Sequence, residues 1–416
     1  YCPTFSKNMR FAHMADCHIG AWREPKLREA NMQAFSKAMD ICIEKEVDFI
    51  LIAGDLFNTS FPGIEGLKET VLKLREIKEK GIAVYVVPGS HDFSPSGKTM
   101  LDVLENANLF VNVFRGEIED DRLKLSFAVD KKTGAKITGI IGRRGLLEKS
   151  YYENLDKSAL ESEQGFKIFM FHSQIEELKQ GDMDFEAVPI SFLPKDFDYY
   201  AGGHVHTVLN KNMKDYGTIV YPGPLFPNNF SELETLQNGG FFIVDVKDRK
   251  MDVEYQQIVV YNVFPILIDC TERSAEEVRA EILKAASDRE FINTLVLIRL
   301  YGKLEVGKIH DINFSEIFTQ LYNKGAFFVM KNTANLKSEE FEEVSVSADS
   351  VDKIEEAVIN ENASQMKIKG YDKEEAAALL KALMKALSSE KKEGERVSDF
   401  ENRIKSEIQK LLDIVL

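Results

Sequence analysis

The sequence predicts an α/β fold, and three observations carry that reading. Short apolar runs such as Phe49–Ala53 alternate with longer helical patterns over roughly the first 230 residues. The runs are continuous rather than alternating, as in strands covered on both faces. Histidine- and aspartate-bearing segments follow directly after five of them, at the strand ends where α/β sheets hold ligands.

The elements follow in order. Arg10–Ala15 reads as a strand and Lys26–Glu46 as a helix. Asp48–Ala53 is a buried strand, Gly63–Lys80 a helix and Ile82–Val87 a second buried strand. Gly97–Ala107 is helical, and Ile137–Ile141, Lys167–Phe171 and Phe197–Ala201 complete the apolar strands. From about Val263 the rhythm changes. Phe264–Asp269 and Thr294–Leu300 read as strands around the helix Ala275–Ala286, and the helix Phe314–Tyr322 leads to the strand Ala326–Met330. These suffice for a small α+β domain. The expected divisions are 9–262, 263–335, an acidic linker over 336–370 and a helical tail over 371–416. Residues 1–8 read as a cloning remnant, because Met9 stands directly before a strand.

Composition narrows the class. Hydrophobic residues make up 44% and charged residues 29%, as in ordinary soluble proteins. No run approaches the ~20 apolar residues that span a bilayer, and Tyr1–Asn8 lacks a signal layout. The expected place is the cytoplasm, with nucleoid association if the source is prokaryotic, and no membrane partner. Cys2, Cys17, Cys42 and Cys270 show no paired spacing, against a disulfide framework or zinc knuckle, and Cys17 is read as core. The net charge of −15 runs against a nucleic-acid surface. Residues 339–361, however, supply eight of those charges, with nine carboxylates against Lys353 alone. Bound cations also reverse a local field.

The tail carries helix-start signals. Asp372 with Glu375 precedes Ala376, Leu379, Leu380 and Leu383, and Ser398 with Glu401 introduces Ile404, Ile408, Leu411 and Val415. Two such amphipathic helices can fold onto the parent domain or dock on a partner's groove or coiled coil.

Seven histidines occur in the chain. Five of them lie in or beside the pieces Asp16-Cys17-His18, Gly54-Asp55, Gly89-Ser90-His91-Asp92, His172-Ser173 and Gly203-His204-Val205-His206. In Asp-x-His and His-x-His an extended backbone sends residues i and i+2 to one side, so both can face one metal cluster. Mixed carboxylate and imidazole donors suit Mn, Fe or Zn. A single Asp-x-His is usually a cap or surface pair; five pieces in one register are not. His13, mid-strand, and His310, in a polar loop, read as structural.

This ordered set, DCH, GDLFN, GSHD, an isolated His172 and GHVH, resembles the calcineurin-like metallophosphoesterase superfamily over roughly residues 10–230. The run Asp16-Cys17-His18-Ile19-Gly20, the GDLF after the second strand, and the small domain with a helical tail look most like its double-strand-break repair nuclease branch, the SbcD-type exonucleases and their archaeal and eukaryotic counterparts. The resemblance implies a two-sheet sandwich flanked by helices, with 263–335 as a capping and DNA-recognition domain. It implies two divalent ions, most simply Mn. One would take Asp16, His18 and His206, the other His172 and His204, with Asp55 bridging. His91 would act on the scissile phosphate, oriented by Asp92 through its other ring nitrogen. DNA, a coiled-coil ABC-type ATPase held by the tail, and a second copy of the chain are the implied partners. Two positions depart from the family pattern. Ser90 replaces an Asn that ligates the second metal, and Asn58 stands where the nuclease branch often has His. Asn58 and the pair Arg143 and Arg144 are candidate substrate contacts.

The first reading is therefore a Mn-dependent DNA nuclease of break repair, exonuclease and also endonuclease. The alternatives are a small-molecule phosphodiesterase or phosphomonoesterase, and a scaffold for the ATPase weakened in catalysis through Ser90.

Overall fold

The computed structural model describes residues 8–94, 99–143, 145, 147–179, 187–338, 373–389 and 397–412. Outside them lie residues 1–7 of the expected cloning remnant, Cys2 among them, Gly97 at the expected start of the third helix, Arg144, Asp372 of the first tail signal, and the acidic segment from Glu339 on. The chain divides into two compact units. The first runs to Pro265 and also takes in Glu290–Leu297 and Leu321–Met330; the second holds the remainder.

In the first unit β1 (Asn8–Met14) leads through α1 (Pro25–Glu44) to β2 (Phe49–Ala53), and α2 (Ile64–Glu79) leads to β3 (Ala83–Val87). Next come α3 (Met100–Asn106), β4 (Val111–Asn112), the hairpin β5 (Gly116–Glu119) and β6 (Arg122–Leu125), then β7 (Ala128–Val129) and β8 (Lys136–Ile140). The helices α4 (Lys149–Glu153) and α5 (Lys157–Ser162) precede β9 (Lys167–His172) and β10 (Tyr199–Gly203). Then follow β11 (Leu209–Met213), β12 (Gly217–Tyr221), α6 (Phe230–Leu236), β13 (Gly239–Lys247) and β14 (Lys250–Ile258).

The strands form two six-stranded sheets, ordered β14-β13-β1-β2-β3-β4 and β11-β12-β10-β9-β8-β7. In the first sheet β1, β2 and β3 run parallel; in the second β8, β9, β10 and β12 do. Side-chain alternation explains the continuous apolar runs. Phe49 and Leu51 of β2 join Ile168 and Met170 of β9 in the layer between the sheets, where the Phe11 and Phe49 rings stack at 5.0 Å. Ile50 and Ile52 face the other way, onto Leu27, Phe35 and Met39 of α1. Phe169 and Phe171 turn outward onto Tyr152 and Leu178. Both faces of each central strand are therefore apolar, as a two-sheet α/β sandwich requires. α1 starts on Pro25, whose missing N–H costs nothing at a first helical position. α3 starts later than the pattern suggests because the Thr99–Asp102 capping box fixes its first turn.

A four-stranded sheet follows, ordered β15-β17-β16 with β18 also on β17. Its strands are β15 (Asn262–Asp269), β16 (Arg273–Ser274), β17 (Thr294–Val306) and β18 (Phe328–Lys337). α7 (Ala275–Ala285) starts on a Ser274–Glu277 capping box, and α8 is Phe314–Asn323. The unit boundary passes through β15, β17 and β18, so Leu295 and Leu297 belong to the first unit's core. The tail helices are α9 (Lys373–Leu387) and α10 (Val397–Leu412), which lie against each other. Ser398 falls inside the first turn of α10 rather than before it.

Candidate metal centre

The carboxyl ends of β1, β2, β3, β9 and β10 deliver the site. Several of its residues adopt left-handed backbone, with φ of 50° at Asp16, 42° at His18, 53° at Asp55 and 84° at His204. Such conformations are costly for residues with a Cβ and concentrate where function holds them. Gly54, with φ of 88°, is a position where both conformation and space exclude a side chain. A Cβ there would overlap the His172 ring.

Three groups of donors each lie within 4.8 Å of one another: Asp16, His18 and His206; His18, Asp55 and His91; and Asp16, Asp55 and His172. His18 Nε2 stands 3.2 Å from His206 Nε2 and 3.6 Å from Asp55 Oδ2. Asp16 Oδ1 is 3.7 Å from His206 Nε2 and 3.9 Å from His172 Nε2. Two donors about 2.1 Å from one ion at a tetrahedral angle stand about 3.4 Å apart. The observed separations are those of donors turned toward a shared centre.

Ring tautomers agree with this. His172 Nδ1–H donates to the Ala53 carbonyl at 2.8 Å, and His206 Nδ1–H donates to Glu232 Oε1 at 2.9 Å. Each hydrogen bond aims Nε2 at the carboxylates. His18 Nδ1 and His172 Nε2 are buried and make no hydrogen bond, although His172 Nε2 lies 3.1 Å from Asp55 Oδ2. Of the two, His172 Nε2 is the one aimed at the carboxylates, and a buried ring nitrogen so placed is a feature a divalent cation satisfies, while His18 turns its Nε2 to the same centre. The residues fit a pair of metal ions.

Electrostatics point the same way. Burial alone would lift the Asp16 carboxyl, but hydrogen bonding to and the charge of His206, with His172 and His18, hold it below its usual range. Asp55 is likewise held far down, its desolvation outweighed chiefly by His172. Conversely, burial would lower His172 and His206. The charge of Asp55 lifts His172 to about 9, and Asp16 with Glu232 lifts His206 to about 10. Without metal the ionised carboxylates thus keep protons on the His172 and His206 rings, in the place a cation would take. His18 and His204 are pushed down to about 4, primarily by burial.

The structure brings Asp16, His18, Asp55, His91, His172 and His206 together. His204 falls outside these three groups; its ring lies 5.2 Å from that of His172, and its peptide N–H donates to both Asp16 oxygens at 3.1 Å. Ser90 is buried on the same loop, at 7% exposure. One expectation is corrected. Asp92 does not orient His91: its carboxylate accepts the peptide N–H groups of Leu56 (3.2 Å), Phe57 (3.0 Å) and Gly89 (3.1 Å). The His91 Nδ1–H goes to the Asn58 carbonyl instead, so Asn58 enters through its backbone. Three backbone donors occupy most of the carboxylate's acceptor positions, and the ring nitrogen it was expected to meet is already bonded to Asn58.

Arg143 follows β8. Its guanidinium lies 4.4 Å from the Phe93 ring centre, and its Nε is buried without a hydrogen-bond partner. Its peptide N–H donates to Glu148 Oε2, whose other oxygen accepts from the Ser173 hydroxyl. His13 is fully buried with Nδ1 2.9 Å from the Tyr199 hydroxyl, and His310 is exposed beside Asp311. Sequence reasoning missed Glu232 and Asn31. Asn31, buried on α1, donates to the Cys17 carbonyl at 2.9 Å and accepts from Gly20 N–H, pinning the His18 loop from both sides. Asn229-Phe-Ser-Glu232 is itself a helix-start signal of the kind that could have drawn attention to Glu232.

A cluster of metal-binding side chains at the carboxyl ends of strands in a two-sheet sandwich fits the class of metal-dependent phosphoesterases. Residues 9–208 match the calcineurin-like phosphoesterase family, and the chain carries a calcineurin-like metallophosphoesterase domain. Among its relatives, the DNA double-strand break repair protein Mre11 of Methanopyrus kandleri is 31% identical over 265 residues, covering 61% of this chain and 57% of that protein. The same-named protein of Archaeoglobus fulgidus is 31% identical over 228 residues, covering 52% and 49%. An uncharacterized metallophosphoesterase of Bacillus subtilis, YhaO, is 25% identical over 269 residues, covering 60% of each chain. The chain thus spans little more than half the length of these relatives.

Proposed function

We propose that the chain is a metal-dependent DNA nuclease of double-strand-break repair. The observation that carries the chemistry is the convergence of Asp16, His18, Asp55, His172 and His206 with His91 beside them. The similarity to Mre11 proteins supports the DNA substrate.

In this reading Asp16, His18 and His206 would hold one divalent ion and His172 and His204 another, with Asp55 shared by the two, most simply both Mn. Two bound ions supply a water nucleophile at neutral pH and offset the charge on the phosphate. The chain's own residues do the rest. His91, anchored at Nδ1 by Asn58, presents Nε2, and the ring in its doubly protonated form would give the Nε2 proton to the leaving oxygen while keeping the Nδ1–H on Asn58. Arg143, its guanidinium over the Phe93 ring, supplies a positive charge beside that loop for a phosphate of the strand. α9 and α10 are the segment offered to a coiled-coil ATPase, residues 263–335 form the DNA-capping domain, and a second copy of the chain completes the assembly. No helix among the described residues is long and apolar enough to cross a membrane.

The small-phosphodiester reading has the match to the Bacillus metallophosphoesterase behind it. One comparison separates the two: Mn-dependent degradation of linear double-stranded DNA against hydrolysis of bis(p-nitrophenyl) phosphate. The nuclease reading expects DNA to be degraded far more efficiently. Hydrolysis of the small ester with DNA left intact would overturn it.

A further inference from the structure

We infer that Glu232 is a positioning residue that fixes His206 for metal binding and makes the subsite at Asp16, His18 and His206 the tighter of the two. The inference rests on the two-metal reading above. Glu232 Oε1 accepts the His206 Nδ1–H at 2.9 Å. The carboxylate is itself held on both oxygens, by Asn229 Nδ2 on Oε1 (2.6 Å) and by the Asn228 peptide N–H on Oε2 (2.8 Å). It stands on the first turn of α6, where Leu233 is sunk in the core, so its backbone is anchored as well.

His172, in the other ligand set, is supported differently. His172 Nδ1–H goes to the uncharged Ala53 carbonyl. An imidazole hydrogen-bonded to a carboxylate is a stronger electron-pair donor at its far nitrogen than one bonded to a neutral carbonyl, and its ring is held in one orientation. Two ligand sets of similar composition are therefore backed unequally, and the carboxylate lies behind only one of them.

Glu232 also caps α6 with Asn229, whose side chain accepts the Glu232 N–H. A purely structural role would rest on that cap alone, so the test must tell the two apart. Mn titration of the full chain, with free Mn read by its electron paramagnetic resonance, gives the affinities of both subsites without turnover. E232Q is expected to weaken one Mn roughly tenfold to hundredfold and leave the second unchanged, while N229S, which keeps a capping oxygen but removes the Nδ2–H on Glu232 Oε1, weakens that Mn less than E232Q does and leaves the second unchanged. In an H206A background E232Q should cause no further loss, because the imidazole it positions is absent. An E232Q chain with wild-type affinities, an equal loss in N229S, or an undiminished E232Q effect in H206A would each overturn the inference. A wild-type chain binding fewer than two Mn would overturn the two-metal reading itself, a result distinct from all three.

Discussion

The His91 Nδ1–H donates to the Asn58 carbonyl at 2.9 Å, and this bond joins the loop after β3 to the loop after β2. The carbonyl can only accept, so Nδ1 carries the proton and Nε2 is the atom presented to substrate. The His91 and His18 rings meet edge to face at 4.8 Å, which places that nitrogen beside the metal donors. His91→Ser should therefore keep both ions and lose turnover by roughly 10²–10⁴-fold, the range of a positioned acid–base group. Metal analysis alongside kcat checks it. Loss of an ion from the variant would make His91 a ligand.

Asp92 calls for a different experiment. Its carboxylate ties Gly89 to Leu56 and Phe57, so it fastens together the two loops that carry Asp55 and His91. Burial, with the charge of nearby Asp55, lifts its pKa to about 7. Asp92→Asn puts an NH₂ against at least one of those peptide N–H groups, which should cost about 1–3 kcal/mol of stability. Denaturant unfolding of the metal-free chain measures it. Unchanged stability together with a turnover loss matching that of His91→Ser would restore the orienting role.

The strand ends and their ligands were legible because the signal is local: an apolar run, then glycine, then a metal-binding side chain. Asp55 and His206 each stand in such a piece, and His172 follows its apolar run directly, without the glycine. What supports them was not legible, because the contacts join distant positions. Glu232 meets His206 across 26 residues and Tyr199 meets His13 across 186, and neither pair leaves a spacing pattern. The reading of Asp92 failed for a related reason. Adjacency to His91 suggested a side-chain pair, while peptide groups 35 and 36 residues away had the better geometry. β11 and β14 escaped a pattern search because they carry exposed polar residues along much of their length; β12 and β13 are buried and apolar, and their runs were overlooked.

His13 gives a test of acid stability away from the ligands. Buried between the sheets against Tyr199, it is pushed down to about 3, chiefly by burial. Folded His13 stays neutral while the unfolded side chain takes up a proton below about 6.5. The unfolded state therefore binds more protons between those values, and stability falls as pH drops through that window. One proton's difference amounts to about 1.4 kcal/mol per pH unit. Replacing both partners, as His13→Phe with Tyr199→Phe, leaves no unpaired hydroxyl and should flatten the slope of unfolding free energy between pH 6 and pH 4 (roughly the middle of the window) by about that amount. An unaltered slope would show that His13 is not among the groups that take up protons on unfolding.

Ser90 is where the chain departs from the pattern it otherwise follows, and the structure sharpens what an asparagine there should do. The peptide groups on either side are fixed: Gly89 N–H on Asp92 at 3.1 Å and His91 N–H on Asp55 Oδ1 at 2.8 Å. A longer side chain at position 90 thus projects from a backbone that does not have to move. A hydroxyl is shorter and a weaker donor than an amide carbonyl, so the ion at Asp55, His172 and His204 is expected to lack a fixed protein ligand. Water can take that place but exchanges readily. Activity should then need excess Mn, and Ser90→Asn should lower the Mn concentration for half-maximal activity. That change strengthens the weaker subsite, whereas loss of the Glu232 carboxylate weakens the tighter one, so the two variants should move different steps of one Mn titration. Equal affinities in the wild type, with no gain from Ser90→Asn, would mean that the Ser90 loop already supplies its ligand by another route.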